Sequence, residues 1–119
     1  MQQEYKIQCE VFKWSEWMQH VYPCLFYMYA SPVGQSLHIA QAVAQKRKGV
    51  KKGVPDICLP YPVYNRHGLY IELKAVGGKV SSEQQEWIDY LNKVGYYACV
   101  CVGYEETVDT IEKYIKGML

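Results

Sequence analysis

Between Gln3 and His20, the apolar residues Ile7, Val11, Trp14 and Met18 follow one another at spacings of four, three and four. That interval predicts an amphipathic helix. Tyr22-Pro23 ends it, because proline lacks an amide donor and biases the residue before it away from helix. Ala30-Ser31-Pro32-Val33-Gly34 predicts a turn, and Ser36 is placed to cap a second helix running to about Lys48. Ala40, Ala42 and Ala44 would let that helix approach a neighbour closely, and Gly49 is placed to stop it.

Beyond Gly49 the strand composition takes over. Pro55 to Pro60 predicts a short strand, Tyr61 to His67 a polar connection, and Gly68 to Val76 a second strand rich in Leu, Tyr, Ile and Val. Gly77-Gly78 is a loop. Ser81-Ser82-Glu83-Gln84-Gln85 offers two overlapping capping boxes for a helix that turns Trp87, Ile88 and Leu91 inward and ends at Gly95. Tyr96 to Val102 is nearly continuous in apolar character, as in a strand buried on both faces. A last helix, roughly Glu105 to Lys116, carries Val108, Ile111 and Ile115 on one side. The predicted order is α-α-β-β-α-β-α, an α/β fold with a mixed sheet flanked by helices. No repeat, low-complexity tract or linker divides it, so residues 1–119 form a single domain.

Composition changes this picture little. A chain of 119 residues buries roughly two-thirds of its unfolded surface. Hydrophobic content of 50% with 21% charged residues excludes disorder. The five cysteines, Cys9, Cys24, Cys58, Cys99 and Cys101, include no Cys-x-x-Cys pair, which fits free thiols in a reducing compartment better than a disulfide framework or a zinc site. No apolar stretch approaches the roughly 20 residues of a membrane span, and no leader pattern opens the chain, so a cytoplasmic protein is expected. The net charge is only +1, so any affinity for nucleic acid has to come from a local patch. Lys46, Arg47, Lys48, Lys51 and Lys52 supply one, and Lys79 extends it. Such a run often ends a solvated helix. Its place directly before Asp56 favours phosphate binding.

The chemistry concentrates in two segments, Gly53-Val54-Pro55-Asp56 and Tyr70-Ile71-Glu72-Leu73-Lys74. Side chains alternate along a strand, so Glu72 and Lys74 share one face while Ile71 and Leu73 turn to the other. A hairpin would bring Asp56 to them across 16 positions. Two carboxylates and an ammonium that converge in this way suit a divalent cation and metal-assisted hydrolysis of phosphodiesters. The histidines His20, His38 and His67 have no ligand spacing, and no Ser/His/Asp or Cys/His arrangement offers a nucleophile. The twelve tyrosines suit a core, an interface or base stacking.

These segments resemble the PD-(D/E)XK nuclease signature. Taken with Ser81-x-x-Gln84-x-x-Trp87, Gly95-Tyr96 and the upstream Glu4-x-x-x-Gln8-x-x-x-Phe12-x-Trp14, they resemble the virus-type replication-repair nuclease (VRR-NUC) domain, in its stand-alone phage form, over nearly the whole chain. The resemblance implies a restriction-endonuclease-like core in which Asp56, Glu72 and the backbone carbonyl of Leu73 ligate Mg²⁺ or Mn²⁺. It gives Lys74 the attacking water and Gln84 an orienting role, although Gln84 is equally a capping partner for Ser81. The family's helical glutamate maps onto Glu4 as a further possible ligand; Glu10, two positions past Gln8, points to the opposite side of that helix. The activity implied is a DNA endonuclease without an organic cofactor, working as a homodimer on branched DNA such as four-way junctions. Replication, recombination or repair in a phage-infected cell would be its setting. A non-catalytic DNA-binding module and a flap- or end-directed repair exonuclease are the alternatives.

Overall fold

In the computed structural model, residues 2–32 and 38–119 are described. Helix α1 spans Gln2–Met18 and α2 spans Ile39–Arg47, with strand β1 (Tyr29–Ala30) between them. Strands β2 (Ile57–Leu59) and β3 (Leu69–Lys74) precede helix α3 (Ser82–Lys93), strand β4 (Tyr97–Val102) and helix α4 (Gly103–Ile115). The four strands form one sheet in the order β1-β2-β3-β4. The β1–β2 and β2–β3 pairs are antiparallel and β3–β4 is parallel, so the sheet is mixed.

The helices cover both faces. Val11 of α1 and Ile111 of α4 are fully buried with Leu25, Ile57, Leu59, Leu69, Ile71 and Leu73 in the main core. Each such side chain contributes about 1.5–3 kcal/mol by leaving water. On the opposite face α3 seats Ile88 and Leu91 against Ala98, with Tyr70, Trp87, Tyr96 and Val100 around them. Glu72 belongs to this second face by alternation from Tyr70. The functional strand is therefore sandwiched between layers.

Two features differ from the predicted order. A 3₁₀ turn (Pro23–Tyr27) and β1 follow α1, where the sequence predicted a proline stop and a turn from Ala30. Two residues cannot display a period of two; pairing Tyr29 with Cys58 and Ala30 with Ile57 makes them a strand. Helix α2 starts at Ile39, with the backbone N–H of His38 donating to Gln41 Oε1 at 3.3 Å. Val33, Gly34 and Ser36, assigned to the turn and the cap, lie outside the described residues. The alanines of α2, Ala40, Ala42 and Ala44, are all exposed rather than buried against a neighbour. Strand β4 is covered on both faces only in part, with Val102 41% exposed at its end.

Candidate active site

The site forms where the sheet loses a strand. Ile57 opposite Ile71 is the last rung between β2 and β3, yet β3 continues through Glu72, Leu73 and Lys74, paired with Val100, Cys101 and Val102 of β4. Asp56, just before β2, fills the vacated edge. Its Oδ2 accepts the Leu73 N–H at 2.8 Å, replacing a ladder bond, and its backbone carbonyl accepts the Ser31 N–H at 2.8 Å. The N–H and C=O of one strand residue leave on the same edge. The Leu73 carbonyl therefore lies on Asp56's side.

Glu72 is 2% exposed and Lys74 7%. Their charged ends meet, with Lys74 Nζ 3.6 Å from Glu72 Oε2. Gln84 Nε2 donates to the same oxygen at 3.0 Å. The other end of that amide completes the capping box: Ser81 N–H donates to Gln84 Oε1 at 2.9 Å, and Gln84 N–H donates to Ser81 Oγ at 3.1 Å. One glutamine thus starts α3 and fixes Glu72.

Gly53 ties the Asp56 loop to the same helix. Its φ is +94°, and a Cβ there would sit 2.8 Å from the Glu83 carbonyl carbon. Only glycine allows both the left-handed backbone and the close approach. Lys52 stays on the surface beside it, Nζ 3.8 Å from Glu83 Oε2.

The electrostatics are those of anions crowded out of water. Burial pushes the Glu72 carboxyl up to about 8, the nearby Asp56 carboxylate adds to this, and Lys74 opposes it. Burial also raises Asp56, against the Leu73 N–H, which lowers it; the Glu4 carboxylate raises it further. Glu72 Oε1 is buried with no hydrogen-bond partner among the described residues. An orphaned carboxylate oxygen is costly in a protein interior.

Glu4 reaches the rim of this site from α1. A Cβ on Gly78, in the loop after β3, would lie 3.2 Å from Glu4 Oε2 and 3.3 Å from Lys74 Cδ. The structure thus gathers Asp56, Glu72, Leu73, Lys74 and Gln84, with Glu4 at the margin. Among the described residues no three His, Cys, Asp or Glu side chains close into a ready-made cage. Two carboxylates and a carbonyl still fit Mg²⁺, which keeps several of its waters and uses few protein ligands. The donor set is entirely hard oxygen, and Glu72 Oε1 is the atom a cation would satisfy.

The cations stand in solvent. Lys46 and Arg47 end α2, Lys48 caps it, and Lys51 and Lys52 continue toward Asp56, all exposed to solvent. Lys79 is exposed in the loop after β3. Sequence reasoning missed the Gly53–Glu83 contact and Gly78's approach to Glu4. A glycine beside each functional segment was the available signal.

Residues 1–105 match the VRR-NUC domain model. A solved structure described as a "VRR_NUC domain protein" is similar with a TM-score of 0.81 and 32% identity, covering 96% of this chain and 88% of that one. No curated protein matches the chain. The fold and sequence together define a nuclease-type, DNA-processing domain. The chain belongs to the VRR-NUC family. No described helix is long and apolar enough to cross a membrane.

Proposed function

We propose that the protein is a divalent-metal-dependent DNA endonuclease that hydrolyses phosphodiester bonds in branched DNA such as four-way junctions. The observation that carries this reading is Glu72 Oε1, buried and unpartnered beside a second carboxylate, while its sister oxygen is held by Gln84 and Lys74. Asp56, Glu72 and the Leu73 carbonyl would hold Mg²⁺ or Mn²⁺, and Glu4 stands close enough to act through an intervening water. When bound, the cation acidifies a coordinated water and polarises a phosphoryl oxygen.

The remaining work falls to the side chains. Lys74 directs an ammonium, shielded from bulk water, at the place where the attacked phosphate gains negative charge. It also holds the attacking water. Gln84 stops the Glu72 carboxylate from rotating, which keeps the donor geometry fixed before substrate arrives. Lys46, Arg47, Lys48, Lys51, Lys52 and Lys79 bind the DNA backbone, giving affinity that is sensitive to salt and tolerant of sequence. A homodimer would set two such centres about a two-fold axis and cut paired strands. Phe26, Tyr27 and Tyr29, which are exposed, and helix α2, which buries nothing, are the two surfaces we assign to the second copy. DNA replication, recombination or repair is the corresponding role.

The test is the purified protein with Mg²⁺, Mn²⁺ or EDTA on linear, flapped and four-way-junction DNA, beside Glu72→Ala and Lys74→Ala. Metal-dependent incision of the junction, lost in both variants, is the expected result. Tight binding without cleavage under any metal would reduce the protein to a DNA-binding module. Release of nucleotides from ends alone would make it an exonuclease.

A further inference from the structure

A concave surface lies on the α1–α4 flank of the molecule. Glu10, Lys13, Trp14 and Trp17 of α1 and Tyr104 of α4 line an open cleft of about 430 Å³. Trp14 and Tyr104 are half-buried and packed on the main core, so they form a fixed wall. Trp17 is 72% exposed at the lip. On a helix, residues three and four apart are neighbours, which groups Glu10 with Lys13 and Trp14, and Lys13 with Trp17. An indole so open to water gains nothing from the fold.

The cleft belongs to the same end of the sheet as the acidic centre. Lys74 pairs with Val102, and Tyr104 follows two residues later, in the first turn of α4. Along α1, Glu10 stands about 9 Å from Glu4, and Trp17 about 20 Å, at 1.5 Å per residue. Measured from Glu4, at the margin of the acidic centre, that separation is the length of a few nucleotides. The exposed lysines of α2 and its following loop approach through the Lys52–Glu83 contact at the start of α3, on the opposite face of the sheet. One flank carries exposed cations; the other is an aromatic cleft that holds one lysine.

We propose that the Trp14–Trp17–Tyr104 cleft binds an unpaired nucleobase of the DNA substrate, an assignment that rests on the nuclease reading above. Trp17 stacks on the base from the open side and Trp14 and Tyr104 close the other, since every base offers a π-face. Lys13 meets the adjoining phosphate. Glu10 repels phosphate and accepts from an exocyclic amine, which orients the base inward. Lys13 disfavours a cationic ligand in the same aromatic setting. The cleft would thus read single-strandedness near the cut, and the cationic flank would hold paired DNA.

Tryptophan fluorescence of the full chain in EDTA tests this without turnover. Three DNAs are titrated: a blunt duplex, the duplex with a short unpaired adenine arm, and the duplex with an abasic arm of equal length. Quenching and tighter binding are expected for the adenine arm over the abasic arm. Trp17→Ala should abolish that difference, weakening the adenine-arm complex roughly five- to a hundredfold. Lys13→Gln should weaken both arms alike. Equal binding of adenine and abasic arms, or a base preference that survives Trp17→Ala, overturns the proposal and leaves the cleft to a protein partner. Metal-dependent cleavage of the four-way junction is measured beside it. Cleavage without base-dependent quenching removes only the cleft assignment, and base-dependent quenching without cleavage removes only the nuclease.

Discussion

The end of β3 and helix α2 hold their charges in opposite ways. Glu72 and Lys74 are withdrawn from water, touch each other, and are fixed by a glutamine that is itself part of a helix cap. Lys46 and Arg47 stand on a helix with no buried residue. Charges removed from solvent are expensive, so they come few and with partners. Charges left in solvent are inexpensive and numerous, and the structure does little to aim them. On the proposed function, the first arrangement would distinguish one phosphate from the next, and the second would register only that phosphates are near. Substitutions in the two regions should therefore fail differently.

The largest effect belongs to Glu72. Glu72→Gln keeps the shape and removes the anion, so cleavage should fall on the order of a thousandfold or more, while binding to DNA in EDTA changes little. The same variant carries a pH signature. The carboxyl has an ordinary value of 4.5 and is pushed up to about 8 in the fold. The folded state therefore binds the extra proton between those values. The Glu72 contribution to the stability of the metal-free protein is fully present below pH 4.5 and is lost as pH rises through about 8. Glu72→Gln should flatten that slope. Urea unfolding at several pH values in EDTA checks it, and an equal slope in both proteins would remove Glu72 as its source.

The next effect separates the regions by geometry. Gly53 and Gly49 share a left-handed backbone, at φ +94° and +95°. A Cβ at Gly53 meets the Glu83 backbone at 2.8 Å, whereas one at Gly49 meets nothing within 4 Å. Gly53→Ala should cost about 2–4 kcal/mol from strain and overlap together, and should lower cleavage by shifting α3 away from Glu72. Gly49→Ala should cost about 1 kcal/mol and leave turnover unchanged. Similar losses in thermal melts of both would mean that the Asp56 loop is no more tightly held than the end of α2.

Gln84 sharpens the contrast on a smaller scale. Gln84→Ala removes a cap worth about 1 kcal/mol and should reduce cleavage roughly ten- to a hundredfold, as for a residue supporting a metal ligand. Gln84→Glu retains an acceptor for the Ser81 N–H but sets an anion against Glu72 Oε2. It should lose comparable activity with little loss of stability. Restored stability with restored activity would show that the cap alone matters.

What could be read in the chain followed from how local each feature is. Period two placed Glu72 and Lys74 on one face, and the capping box placed Gln84 at the start of α3. The predicted hairpin brought Asp56 to the strand pair, and the family resemblance added the orienting role of Gln84. Strand β1 was invisible because two residues carry no periodicity and owe their conformation to β2. Gly53 gave no sign of the helix it touches, since that contact links segments thirty positions apart. Trp17 lies off the apolar stripe of α1, and its spacing assigns it no role. Its meaning depends on Tyr104, which only the sheet brings near.

The smallest effect tests the solvated half. Replacing Lys46, Arg47 and Lys48 with glutamine should weaken DNA binding a few-fold per residue at moderate salt. The slope of log K against log salt should become shallower by about 0.9 for each phosphate that is no longer neutralised. Turnover at saturating DNA should stay near that of the unmodified protein, because Lys46, Arg47 and Lys48 stand exposed in solvent. The same weakening should appear on every sequence, as expected for cations that position a backbone without reading bases. A fall in turnover at saturation would place part of α2 against the reacting phosphate. The division between aimed and unaimed charge would then have to be redrawn with α2 on the catalytic side.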